Sequence, residues 1–479
     1  MNFSWSLIID LGILAAGMLA ATFIRSRVRF FQRYLIPNAL TAGFLLLPFY
    51  NWVFPHIGLT TDGLGSLVYH LLSISFIAMT LRKAKWTGKL GDKRLISTTA
   101  AVLSQYAIQA LVGLGLTILM IVTVYPKLFP AFGFMIPLGF SLGPGQAFAI
   151  GQGWESFGFH GAGSVGLTFA AIGFLWACFG GVFLINWGLR KGWTDPDEVS
   201  VLRARQVKTG VFRAEDDSHL PVGSRLTTET EAVDTMTFNL AMVFVVYLAA
   251  YLLLDLITYF LGFAGKMGHD LAVNLWGLSF IFSALVALLV RYLAKVLRFD
   301  HILDNGTLTR ISGGSVDLMV SASIAAISVV VVAAYWVPIL VMCLVGGFLT
   351  LVTVPWICSR LFTDHRFHRT LMIYGAASGT MPTGLALLRV LDPQFETPVA
   401  FDFMYSSGLT FALAIPFILI INLPAYWVKY GNPLYFWLAV LVSFGYLVFT
   451  GITFLLISRR RGMKDKRKIW LSTGVESDN

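Results

Sequence analysis

Long apolar blocks follow one another along the whole chain, separated by short polar stretches. A helix rises 1.5 Å per residue, so about 20 apolar residues cross a hydrocarbon layer of about 30 Å. None of the blocks carries a charged stripe, which excludes a soluble bundle of amphipathic helices. The pattern predicts eleven spans, near 4–24, 35–54, 64–81, 95–124, 163–189, 237–261, 272–297, 312–334, 337–359, 399–423 and 434–457. Two further apolar segments, 131–153 and 371–391, are interrupted by Gly and Pro. They predict broken, re-entrant elements rather than crossings. No cleavable leader is expected over 1–21, which has no basic start and reads as the first span.

Charge turns the span list into a topology. With the amino terminus outside, the inside loops hold 31 of the 35 Lys and Arg residues, and the outside loops hold only Lys127, Lys266 and Lys429. Basic residues concentrate in cytoplasmic loops. A full crossing at either broken segment would invert every later cluster, so the charge count supports leaving both out. The net charge of +10 therefore reads as topology and lipid contact, not as a nucleic-acid surface. Composition agrees: 13% of residues are charged and 57% hydrophobic, against about 25% charged in soluble domains. Cys178, Cys343 and Cys358 all lie in apolar segments and read as packing residues.

The two halves share an element. Gly166-Leu167-Thr168-Phe169-Ala170 recurs as Gly408-Leu409-Thr410-Phe411-Ala412, and Ser164 matches Ser406. Each copy follows a broken segment. Five spans per half is an odd number, so the second half enters from the opposite side. The expected fold is all-α and integral to the membrane: two inverted five-span repeats, each with a re-entrant hairpin, plus one extra carboxyl-terminal span. The expected units are a first membrane repeat (1–190), a cytoplasmic linker (191–236), an inverted repeat (237–425), and the extra span with its basic tail (426–479).

The broken segments carry the candidate chemistry. The first reads Pro137-Leu138-Gly139-Phe140-Ser141-Leu142-Gly143-Pro144-Gly145-Gln146, and the second Tyr374-Gly375-Ala376-Ala377-Ser378-Gly379-Thr380-Met381-Pro382-Thr383. Pro removes a backbone donor and Gly admits unusual dihedrals. Backbone groups freed in this way cannot face lipid and must line protein or a watery cavity. Freed carbonyls and hydroxyls suit a hard cation such as sodium, and helix starts after each break suit an anion. Two readings stand: paired binding hairpins, or kinks at close helix contacts. Candidate solute- and ion-binding residues are Ser141, Gly143, Gly145, Gln146, Ser378, Gly379, Thr380 and Thr383. Of the ionisable groups near the spans (Asp10, Asp255, Asp317, Asp402 and Glu155), Asp317 is the ion candidate. Arg389 either pairs with a substrate carboxylate or snorkels to the surface. Sodium ligands are sought among Ser141, Thr380, Thr383 and Asp317. No metal motif, nucleophile elbow or phosphate loop is visible, so an enzyme is not expected.

Around these hairpins the sequence resembles the glutamate:sodium symporter family. The likeness lies in Arg33-Tyr34-Leu35-Ile36-Pro37 with Ala42-Gly43, in 143–159, and in Gly379-Thr380-Met381-Pro382-Thr383, which resembles that family's Gly-Ala-Thr-Pro-Thr. Asn422 matches an Asn of the last family span and joins the candidates. Two positions depart from the pattern: Gly143-Pro144-Gly145-Gln146 stands where the family has Gly-His-Gly-Thr, and Leu387 stands where it has Asn. The resemblance implies sodium-coupled uptake of glutamate, or of a related amino acid or carboxylate, by a homodimer in the bacterial inner membrane. It also implies an elevator-like movement, with sodium as coupling ion and no other cofactor. Its partners would be the solute and membrane lipid, not nucleic acid. The alternatives are a passive channel, a proton-coupled carrier of another small organic anion, and a membrane enzyme or sensor working through the linker.

Overall fold

A computed structural model describes residues 5–34, 36–83, 93–193, 223–263, 265–392, 397–463, 465 and 467–471. Most of the expected linker, 194–222, lies outside the described residues. Within them the structure is helical, with no strand. In chain order the helices used below are α1 (Ser6–Arg27), α2 (Asn38–Pro48), α3 (Asp62–Leu81), α4 (Lys93–Thr123), α5 (Pro144–Glu155), α6 (Ala162–Arg190), α7 (Thr235–Gly262), α8 (Ser279–Val296), α9 (Asn305–Ala325), α10 (Trp336–Leu361), α11 (Arg366–Ser378), α12 (Met381–Leu388), α13 (Val399–Tyr430) and α14 (Leu434–Ser458). Nine of these are long and apolar enough to cross a membrane: α1, α3, α4, α6, α7, α8, α10, α13 and α14. The chain is a multi-pass membrane protein. Its outer surface is correspondingly apolar: Leu441, Phe444, Ile452 and Leu456 of α14 are all exposed.

The two other expected spans take a different form. The segment expected over 35–54 is α2, which passes at Pro48 into a π-helical turn, Phe49–Val53, and then a 3₁₀ turn, Phe54–Ile57. The segment expected over 312–334 is α9, which stops at Ala325 and resumes as a short helix, Val329–Ala334. Neither is a continuous apolar helix, because Pro48 interrupts the first and Arg310 and Asp317 dilute the second. The break after α9 is satisfied by side chains. Asn51 Nδ2 donates to the Ile327 carbonyl at 2.9 Å, while its Oδ1 accepts from Val329 N–H at 3.0 Å. Ser164 Oγ accepts from Ser328 N–H at 2.6 Å. Broken backbone at membrane depth requires such partners.

Capping explains where two helices begin. Asp234 accepts from Thr237 N–H at the start of α7. Asp304 Oδ2 accepts from both the N–H and the hydroxyl of Thr307 at the start of α9, 2.7 and 2.8 Å away.

Neighbouring helices form one row, in the order α1, α2, α9, α3, α8, α7. Helices α3 and α9 run antiparallel at its centre, with Ser75 beside Ser312 and Arg82 beside Thr309. Against this row sit α5 and α6, and behind them α10, α13 and α14 pack around α4. A large core of buried apolar side chains joins them, including Phe134, Phe140, Trp154, Phe169 and Phe417.

Candidate functional site

The first broken segment approaches α4 through glycine. A Cβ on Gly113 would lie 2.1 Å from the Gly133 carbonyl oxygen, and one on Gly133 would meet Gly113 just as closely. Only a glycine pair admits this contact. The chain then winds through a π-helical turn, Pro137–Leu142, and reverses at Gly143 with φ +100°. Helix α5 starts there, with Pro144 in its first turn. The second segment stops at Ser378, turns through Gly379 and Thr380, and restarts as α12 with Pro382 in its first turn. Proline fits a helix start because the amide it lacks would be unpaired there anyway.

The two turns meet. A Cβ on Gly143 would stand 3.4 Å from Thr380 Cγ2. Beside them is a cavity of about 300 Å³. Its walls are Ser141, Gly143, Pro144 and Gln146 from the first turn and Ala376, Thr380, Met381 and Pro382 from the second. Ser75, Arg82, Thr309 and Ser312 face it from α3 and α9, Tyr106 from α4, and Ser406, Ser407 and Thr410 from α13. Both α5 and α12 begin at this cavity. The first intrahelical donors are Ala147 N–H in α5 and Gly384 N–H in α12, so the earlier amides are the unpaired ones that make a helix start electropositive.

Most of the lining is apolar, with Phe76, Met79, Phe280, Met381 and Phe411 among it, and hydroxyls are its commonest polar groups. The Ser75 and Ser312 oxygens are 3.1 Å apart, as are Arg82 Nη1 and Thr309 Oγ1, with the guanidinium donating. The Ser141 hydroxyl donates to Gln109 Oε1 at 2.7 Å and lies 3.0 Å from the Ala377 carbonyl. Thr410 Oγ1 is buried and has no hydrogen-bond partner among the described residues, and the same holds for Ser378 Oγ. Thr410 stands on the cavity wall, and Ser378 is buried behind it. No cluster of three or more His, Cys, Asp or Glu occurs among the described residues.

A second cavity, of about 540 Å³, lies at the other end of the α3–α9 pair. Asp62, Ser66, Tyr69 and His70 of α3 line it, with Gln152 and Glu155 of α5, Ser164 of α6, and Ser328. The first cavity uses the Leu72–Arg82 end of α3 and the second its Asp62–His70 end. Between the two, Gly145 packs against Leu72 and Met319, and Phe148 lies against Gly65 and Gly163.

The sequence-derived candidates divide accordingly. Ser141, Gly143, Gln146 and Thr380 line the first cavity. Thr383 is buried just behind it, 3.3 Å from the Thr380 hydroxyl. Gly145, Ser378 and Gly379 pack in the layer behind the lining. Asp317 and Arg389 are exposed and lie off the cavity wall. The cavity face of α9 runs through Thr309, Ser312, Gly313, Val316 and Met319, and Asp317 falls one position off that helical stripe. Asn422 accepts from Trp154 Nε1 at 2.8 Å, at the far end of α5 from the cavity. Among the other ionisable groups, Asp10 is buried and accepts from the Tyr50 hydroxyl, Asp402 pairs with Arg369, Asp255 is exposed, and Glu155 lines the second cavity.

Sequence reasoning did not single out Arg82, Ser75, Ser312, Tyr106, Gln109 or Thr410. Thr410 carried a signal, since it sits in the repeated pentapeptide. Arg82 reads only as one of a basic cluster at the end of a span. The others are isolated polar residues in long helices, and only packing decides which face turns inward. No family model, curated protein or solved structure matches the chain.

Proposed function

We propose that the chain is a secondary active transporter that couples sodium entry to uptake of a small carboxylate, glutamate or a related amino acid, across the bacterial inner membrane. One observation supports the reading most: two broken segments, far apart in sequence, bring a helix start and one hydroxyl each, Ser141 and Thr380, to one cavity. Hydroxyls, Ser141, Thr380 and Thr410 among them, provide for the cation. The starts of α5 and α12, with Arg82 on the facing wall, provide for the anion.

A carrier is favoured over a pore because two cavities occupy opposite ends of the α3–α9 pair, with Leu72, Met319 and Phe148 packed between them. Both cavities lie between that pair and the elements carrying the broken segments. Sliding one body against the other would open each in turn, which is elevator-like alternating access.

The finer architecture belongs to the same reading: two inverted repeats, each with a re-entrant hairpin, in a homodimer. The row α1, α2, α9, α3, α8, α7 supports it, because exchanging the halves about its centre returns the same order. Corresponding residues of the repeated element also support it: Ser164 lines one cavity and Ser406 the other. The basic clusters lie toward the Arg82 end of α3, which would make the cavity at the two tips the cytoplasmic one.

Purified protein in liposomes is expected to accumulate labelled glutamate when an inward sodium gradient is imposed. Uptake that persists with potassium in place of sodium and follows a pH gradient would overturn sodium coupling.

A further inference from the structure

The Ser141 hydroxyl has one proton and two acceptors within reach, Gln109 Oε1 at 2.7 Å and the Ala377 carbonyl at 3.0 Å. Gln109 is fully buried in α4. Its Nε2 donates to Thr350 Oγ1 at 2.9 Å and to the Ala377 carbonyl at 3.1 Å. The Thr350 hydroxyl already donates to the Gly346 carbonyl at 2.8 Å, so toward Gln109 it can only accept. That fixes which end of the amide faces Thr350. Both amide protons are then engaged, and Oε1 is left to accept from Ser141 at 2.7 Å. The carboxamide thereby ties the first turn, through Ser141, to the second, through Ala377.

We propose that Gln109 is a positioning residue that makes Ser141 an acceptor-only ligand and so sets the affinity of the cavity for its cation. With its proton held toward Gln109, or toward the Ala377 carbonyl that Gln109 also holds, the Ser141 oxygen presents lone pairs and no donor to an occupant. Such an oxygen suits a cation or an N–H donor and disfavours a carboxylate oxygen. Within the cavity this assigns the Ser141 wall to positive charge, and leaves anionic groups to the helix starts and Arg82. The identity of the cation as sodium rests on the functional reading above.

The test is thermal unfolding of the full-length protein in lipid nanodiscs, titrated with sodium chloride against choline chloride at constant ionic strength. A ligand that binds only the folded state raises the unfolding temperature by mass action. Gln109→Leu and Ser141→Ala are each expected to raise the half-saturating sodium concentration about tenfold. The double variant should be no weaker than either single one, because both act through the same oxygen. Thr350→Val, which loosens the amide without removing it, should weaken sodium binding severalfold and serves where Gln109→Leu does not fold. Sodium responses of Gln109→Leu and Thr350→Val equal to wild type would overturn the proposal, as would losses that multiply in the double variant. A wild-type protein with no sodium response would overturn the functional reading, and this proposal with it.

Discussion

Arg369 shows how single side chains anchor the second broken segment. It is almost fully buried at the base of α11, and its Nη2 reaches Asp402 at 2.7 Å and Asp364 at 3.2 Å. Arg94 reaches the same Asp364 oxygen at 3.1 Å. Removing the cation would strip Asp402 of its guanidinium partner and leave Asp364 with Arg94 alone. Arg369→Met is expected to destabilise the fold by about 3 kcal/mol or more, read as a lowered midpoint of unfolding in detergent. Asp364 adds a pH dependence. Burial opposes its ionisation, but the guanidiniums of Arg369 and Arg94 outweigh burial and hold the carboxyl below the ordinary carboxylate range. A depressed folded value means the stabilisation is complete above the unfolded value of about 3.9 and fades as pH falls through the folded one. Asp364→Asn should therefore show a shallower loss of thermal stability between about pH 4 and pH 2 than wild type. An identical acid profile would remove Asp364 from the account.

At the level of elements, the first broken segment is held by close approach and by one left-handed residue. Gly113→Ala would drive a methyl into the Gly133 carbonyl. Backbone is met on both sides, so neither can move without displacing α4 from the segment. Overpacking of this kind costs about 1–3 kcal/mol, and the unfolding midpoint should fall accordingly. Gly143→Ala would meet Thr380 Cγ2 and Gln146 Oε1 at ordinary contact distances but strains the backbone at φ +100°. It is expected to cost about 1–3 kcal/mol and to weaken sodium binding by moving Ser141 relative to Thr380. Capping can be tested separately. Asp304→Ala removes the cap from α9 and should cost about 1–2 kcal/mol, with little effect on the cavity, whose first α9 residue is Thr309, more than a turn away. The element scale is also where expectation and structure differ. Span prediction counts apolar residues, and 35–54 and 312–334 contain enough of them. Whether such a stretch stays one helix depends on Pro48, and on whether Asn51 and Ser164 are present to take up the freed backbone groups.

For the whole molecule, the two cavities make a directional expectation. Single cysteines in place of Ser312 and Ser328 should react with a membrane-impermeant maleimide from opposite faces of sealed vesicles. Labelling of both from one face would contradict two cavities separated by Leu72, Met319 and Phe148. A transporter should also shift the balance of the two reactivities when sodium and solute are added. Reactivities that never change would point to a fixed pore.

Much of this protein was legible from sequence because lipid imposes a one-dimensional rule. A span must be apolar over its whole length, and a flanking loop must be basic on one side, so composition along the chain determined the membrane class and most of the helices. Gly143, Pro144, Thr380 and Pro382 were legible for a related reason: residues that break helices announce themselves wherever they stand. Which polar residues surround the broken segments was not legible. Ser75, Arg82, Gln109, Ser312 and Asp317 are all polar residues in helices, and sequence offers no way to rank them. Rotation by one residue on α9 separates Val316 on the cavity wall from exposed Asp317. That rotation is set by packing against α2 and α3, which only the tertiary structure decides.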